Sequence, residues 1–190
     1  TPEIYHGVSD IAADSLALAV EAAKTSADII VLCGVHFMAE TADILTSVNQ
    51  KVILPNMAAG CSMADMAPSE DVQDAWDFVS SITNSYIPIT YMNSTAAIKS
   101  LCGENGGLVC TSSNADKAFA KHIQKGSKIF FFPDQHLGRN TALSLGINLE
   151  EIKVWNPFKL NGGLSNQEIK EAKVLVWQGH CSVHTRFTLD

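Results

Sequence analysis

Three observations make a parallel α/β fold, built from small repeated units, the expectation for this chain. Short apolar runs alternate with longer stretches whose apolar residues follow helical spacing, the pattern of strand–helix–strand crossovers. The composition, 46% hydrophobic and 17% charged over 190 residues, suffices to bury a sizeable core and excludes a disordered chain. Two apolar runs far apart in sequence lead into cysteine-bearing loops, which reads as a repeat of one unit.

The elements follow in order. From Ser9 to Lys24, apolar residues at Ile11, Leu16, Leu18, Ala19 and Ala22 predict a helix with Asp14 and Ser15 inside it. Asp28-Ile29-Ile30-Val31-Leu32-Cys33 predicts a strand, Phe37 to Val48 a short helix, and Lys51-Val52-Ile53-Leu54 a second strand. After Cys61 the order repeats. Ser69-Glu70-Asp71 is a helix-start signal and opens a helix to Ser80. It leads to the strand Ile87-Pro88-Ile89-Thr90-Tyr91-Met92. Ser94 to Ser100 reads as helix, 107–111 as strand, Asn114 to Gln124 as helix, and Lys128-Ile129-Phe130-Phe131-Phe132 as strand. His136 to Leu145 makes one more helix, and Lys173-Val174-Leu175-Val176-Trp177 the last strand. Between these two, Gly146 to Ala172 carries the turn signals Asn156-Pro157, Asn161-Gly162-Gly163 and Ser165-Asn166 around little periodicity. The division suggested is a first unit over 1–62 and a second over 63–178, with an insertion near 146–172.

A net charge of −7 sets aside nucleic acid and anionic membranes as main partners, since both need clustered Lys and Arg. No run of eighteen apolar residues and no signal-peptide layout occurs, so the cytoplasm is the expected compartment. Five cysteines without tight spacing suit reduced thiols better than a secreted disulfide framework. Cys33 in its strand pattern, Cys110 at the end of Leu108-Val109-Cys110, and Cys102 near a helix end read as packing residues. The opening Thr1-Pro2-Glu3-Ile4 reads as the middle of something, and Thr185 to Asp190 as the approach to a further helix. The expectation is a fragment.

Gly179-His180-Cys181-Ser182-Val183-His184 follows the last strand, and Ala58-Ala59-Gly60-Cys61-Ser62-Met63 follows the strand at 51–54. Open α/β sheets bind ligands beyond the carboxyl ends of their strands. Cys61 and Cys181 are therefore candidates for a soft-metal site assembled by the fold, with structural thiols as the alternative. Zinc ribbons bring cysteines in close pairs, and none is present; iron–sulfur clusters accept single cysteines from separate loops. Tyr91-Met92-Asn93-Ser94-Thr95 and Thr111-Ser112-Ser113-Asn114-Ala115 place hydroxyls and amides at strand-to-helix junctions. Such turns hold phosphate or carboxylate, or simply cap the helix. Asp134 in Pro133-Asp134-Gln135-His136 reads as a cap, and His36 as a loop histidine. No phosphate-binding P-loop, GxGxxG fingerprint or HExxH pair occurs.

Taken together, these motifs resemble the quinolinate synthase family. They are Gly34-Val35-His36-Phe37-Met38-Ala39-Glu40-Thr41-Ala42, the Cys61 loop, Tyr91 to Thr95, Thr111 to Ala115, Pro133 to Gly138, and Gly179 to His184. They run in family order across almost the whole chain. The resemblance implies a condensation of iminoaspartate with dihydroxyacetone phosphate that yields quinolinate and releases phosphate and water. It implies two of a pseudo-threefold set of three α/β units, with residues 179–190 starting the third. Each unit would give one cysteine to a [4Fe–4S] cluster whose fourth iron stays open. Cys61 and Cys181 would be two ligands, and the third cysteine is missing from this chain. Ser15 and Ser112 would hold the substrate phosphate, Tyr91 and Asn93 would line the pocket, and His184 would contact substrate, with His184 and Tyr91 moving protons. An N-terminal His-x-Tyr segment and a His-Pro-Glu motif of the family are absent. The chain is therefore expected to be inactive alone, with a third unit or a second chain as its partner. The alternatives are a non-catalytic module that binds a phosphorylated metabolite, and another three-lobed iron–sulfur dehydratase or reductase.

Overall fold

The computed structural model describes residues 7–183. It divides into two compact units, with the boundary between Gly60 and Cys61.

In the first unit, α1 (Ser15–Lys24), β1 (Ile29–Val31), α2 (His36–Leu45) and β2 (Lys51–Ile53) alternate as expected. The two strands pair in parallel, Ile30 opposite Val52. Asp14 does not lie inside the helix. Its carboxylate accepts from the Leu16 and Ala17 N–H groups, both at 3.0 Å, and so caps α1 with Ser15 as its first residue. Cys33 is exposed, contrary to its reading as core. The strand stops at Val31, and Cys33 lies beyond the paired residues, outside the small core of Ala19, Ala22, Leu32 and Ala42.

The second unit opens with α3 (Ser62–Asp65) and α4 (Ser69–Ile82). There follow β3 (Tyr86–Tyr91), α5 (Ala96–Glu104), β4 (Leu108–Cys110), α6 (Ala115–Ile123), β5 (Lys128–Phe132) and α7 (Gln135–Ser144). The segment 146–172 is more regular than its sequence suggests. It supplies an edge strand, β6 (Ile152–Trp155), and a helix, α8 (Asn166–Glu171), before β7 (Val174–Trp177). Its strand is too short for a period to show, and its helix is announced only by a capping box, Ser165 with Glu168.

The five strands of this unit form one parallel sheet in the order β4-β3-β5-β7-β6. Side chains alternate across it. Phe130, Phe132, Leu175 and Trp177 pack with Val72, Trp76 and Val79 of α4 and with Ile98 and Leu101 of α5. Ile129, Phe131, Val174 and Val176 pack on the opposite side with Phe119 of α6 and Ala142 of α7. Both faces are covered, which is why the strands read as unbroken apolar runs. Cys102 and Cys110 are buried here, as expected. Among the described residues, no helix is long and apolar enough to cross a membrane.

Candidate functional site

From β3 the chain crosses to β4 on one side, then returns to place β5 on the other. A parallel sheet opens a crevice at such a reversal, beyond the strands' carboxyl ends. Tyr91 ends β3, Asn93 follows it, Ser112 follows β4, Asp134 follows β5 and Cys181 follows β7. The topology thus brings five polar groups, from four strand ends, to one edge of one sheet.

Contacts between these segments draw the site closer. The Asn93 side-chain amide donates to Cys61 Sγ at 3.7 Å. The hydroxyls of Ser62 and Ser182, each next to a candidate cysteine, meet at 2.9 Å. Trp177 Nε1 donates to the Met66 carbonyl at 2.8 Å, and the His180 N–H donates to Met66 Sδ at 3.4 Å. Gln135 N–H donates to the Gly179 carbonyl at 3.0 Å. The Cys61 segment and the Cys181 loop are therefore joined at several points, and both thiols are half-buried.

Tyr91 lies among these groups. Burial pushes its phenol above the ordinary value, the Ser112 hydrogen bond pulls it back, and charge interactions with the nearby Cys110, Cys181 and Asp134 side chains add to the rise. Tyr91 is thereby a protonated hydroxyl at neutral pH, a donor rather than a base. Burial also raises the Cys110 thiol, to about 12, and the Cys102 thiol further still. Neither is a ready ligand.

The two hydroxyl-rich junctions differ. Thr95 caps α5 by accepting from the Ile98 N–H at 3.4 Å. Asn114 stands at the start of α6 without a side-chain bond to the helix, because its oxygen accepts from Thr111 N–H at 2.7 Å. The α6 start, next to the exposed Ser112, thus has no side-chain cap, and Asp116 in its first turn offsets part of the positive end of the helix. Ser15 belongs to the first unit, at a helix end already capped by Asp14. His184 lies outside the described residues.

Asp134 and Gly179 fall inside motifs that the sequence offers but have no site role there, and Met66 carries no signal at all. Asp134 is 5% exposed, and it caps α7 through the His136 and Leu137 N–H groups at 2.7 and 2.9 Å. The sequence signalled that cap but not its closeness to Tyr91. Two soft thiols, one already accepting an amide N–H, suit thiolate ligation of an iron–sulfur centre. Among the described residues, no group of three or more His, Cys, Asp or Glu is placed to hold a metal ion.

Fold and site together define an α/β protein with a parallel sheet whose carboxyl edge gathers two cysteines, a tyrosine, an amide and a hydroxyl-rich helix start. Over residues 1–190 the sequence matches the family described as "NadA: Quinolinate synthetase A protein", and the chain belongs to that family. It is 53% identical over 186 residues to a protein named quinolinate synthase from Streptomyces coelicolor, covering 96% of this chain and 47% of the relative. Quinolinate synthases from Acidobacterium capsulatum and Anoxybacillus flavithermus are 53% and 54% identical, over 94% and 95% of this chain and 49% and 50% of their own lengths. The chain spans about half the length of the curated relatives it matches.

Proposed function

We propose that this chain is part of a quinolinate synthase, an enzyme that condenses iminoaspartate with dihydroxyacetone phosphate to quinolinate and releases phosphate and water. The observation that carries the reading is the joining of the Cys61 and Cys181 segments at the sheet edge that also holds Tyr91, Asn93 and Ser112.

In this reading Cys61 and Cys181 hold a [4Fe–4S] cluster. With one iron open, such a cluster supplies a Lewis acid that polarises a hydroxyl or carboxylate oxygen of the substrate. Asn93 steadies the Cys61 sulfur through its amide N–H and lines the substrate pocket. Ser112, beside the uncapped start of α6, receives the phosphate. Tyr91, held protonated by burial, gives a proton to a leaving oxygen as water departs. The resemblance also assigns Ser15 to phosphate binding and His184 to proton exchange with the substrate. The same resemblance puts the third thiolate on a further unit, begun at 179–190, or on a second chain.

The test is anaerobic reconstitution of the protein at its natural length, followed by assay with both substrates. Quinolinate and inorganic phosphate should appear together, and Cys61→Ser or Cys181→Ser should abolish both along with most of the bound iron. A fully loaded cluster with no quinolinate would sink the reading and favour another dehydratase of this plan. The 190-residue chain alone, given iron and sulfide, should lose them to a chelator within the assay.

A further inference from the structure

Resting on that reading of Cys61 and Cys181, we propose that Met66, Trp177 and Gly179 are positioning residues that clamp the Cys61 segment to the Cys181 loop. The clamp keeps the two thiols at one fixed separation before any metal arrives.

Cys61 has little of its own to hold it. It precedes α3, a helix of four residues, and a single turn is not stable by itself. Met66 ends that turn, and its carbonyl is one of the groups that a helix end leaves without an internal partner. Trp177 satisfies it from the last position of β7, at 2.8 Å. Trp177 is fully buried and is paired with Trp155 in the sheet register, so the indole is a rigid support. The Met66 sulfur in turn accepts the His180 N–H at 3.4 Å, one residue before Cys181. A single residue after the Cys61 turn thus grips both the strand end and the loop that carries the second thiol.

Gly179 sets the other wall. Its N–H donates to the Trp177 carbonyl at 2.8 Å and its carbonyl accepts from Gln135 N–H at 3.0 Å. A Cβ there would collide with the Pro133 carbonyl oxygen and come within 3.5 Å of Met66 Cβ. The loop leaves the sheet too close to the Pro133 carbonyl for a side chain at this position, with Met66 in ordinary contact beside it. The Ser62–Ser182 contact at 2.9 Å is the far end of the same joint. A ligand pair held by packed neighbours loses less conformational freedom on binding and keeps its geometry.

The test uses the protein at its natural length, first without metal. Wild type, Trp177→Phe, Met66→Leu and Gly179→Ala are treated with a short bifunctional thiol reagent, well below their melting temperatures. Peptide mass spectrometry then quantifies the Cys61–Cys181 link. Each variant should form the link about threefold to tenfold less than wild type, the size a lost hydrogen bond of ordinary strength gives, with Gly179→Ala the lowest. Ile169→Val, a core change on α8 that also lowers the melting temperature, should leave the yield unchanged. Wild-type yields in Met66→Leu and Trp177→Phe, or an equal fall in Ile169→Val, would overturn the clamp. After reconstitution, the same variants should lose iron to a chelator faster by about the same factor. Iron loss at the wild-type rate despite a lower link yield would overturn it too. Should Cys61→Ser and Cys181→Ser load iron as wild type does, the ligand reading fails, and the linking experiment still decides the clamp.

Discussion

At the scale of single residues, the functional candidates differ in how much their neighbours were visible beforehand. Cys61 and Cys181 were legible because a cysteine beyond a strand end has few packing reasons to be there. Their connection through Met66 was not, because a methionine carries no local sign that its carbonyl and sulfur hold Trp177 and His180, 111 and 114 residues further along the chain. Asn93 was legible as a polar strand-end residue, but its bond to Cys61 Sγ depends on tertiary placement. Asn93→Ala should leave the fold intact and speed chelator removal of iron by about twofold to tenfold, the effect of one lost N–H···S bond. An unchanged rate would place Asn93 with the substrate alone. His122 is a different case. It is buried, and its Nε2 has no hydrogen-bond partner among the described residues. Burial first, then Lys121 and Lys125, lower its pKa. A depressed histidine favours the fold while neutral, so its contribution is whole above the unfolded value near ~6.5 and is lost as pH falls through the lower folded value. Melting temperatures measured from pH 7 down to 5 should therefore fall less steeply in His122→Phe than in wild type. Parallel slopes would show that acid sensitivity arises elsewhere.

At the scale of elements, strands and helices were legible wherever a period had room to show. The buried strands β3, β5 and β7 read as continuous apolar runs, and α4 announced itself by its acidic first turn. The sequence overextended helix starts. Asp14 caps a helix that the apolar spacing had started at Ser9, because side-chain capping ends a helix without changing its hydrophobic pattern. The helix read over Ser94 to Ser100 starts at Ala96, behind the Thr95 cap, and runs on to Glu104. The segment 146–172 was misjudged for another reason: it is held by specific contacts rather than by periodicity. Asn161 and Gly162 take positive φ, 54° and 66°, and Gly162 lies against the Trp155 ring, where a Cβ would collide. Gly162→Ala combines that collision with a strained φ and should cost about 1–3 kcal/mol in denaturant unfolding. The other end of the segment is fixed by Tyr86, whose hydroxyl donates to the carbonyls of Ile169 and Ala172 at 2.8 and 3.0 Å. Tyr86→Phe should cost about 1–2 kcal/mol by leaving those helix-end carbonyls without the donor, with the m-value unchanged. A neutral result would mean water replaces the hydroxyl.

At the scale of the whole molecule, the two units differ in how they bury their sheets. In the second, both faces of five strands are covered, and Phe119, Phe130, Phe131, Phe132 and Trp177 are fully buried. In the first, two three-residue strands bury Ile30 and Val52 only in part against a core of three alanines and a leucine. Their other face leaves Ile29 58% and Val31 59% exposed. Parallel sheets are ordinarily buried on both faces, and local opening is easiest where buried apolar contacts are few. Native-state hydrogen exchange should therefore divide along the Gly60–Cys61 boundary. Amides of β3, β5 and β7 should be protected on the order of 100-fold or more beyond those of β1 and β2. Phe131→Ala, which empties a site packed edge-on against Phe119 at 5.2 Å between ring centres, should remove about 3–5 kcal/mol of that protection from β3, β5 and β7. Equal protection from β1 to β7, measured residue by residue, would show that the small core of the first unit does not limit its stability.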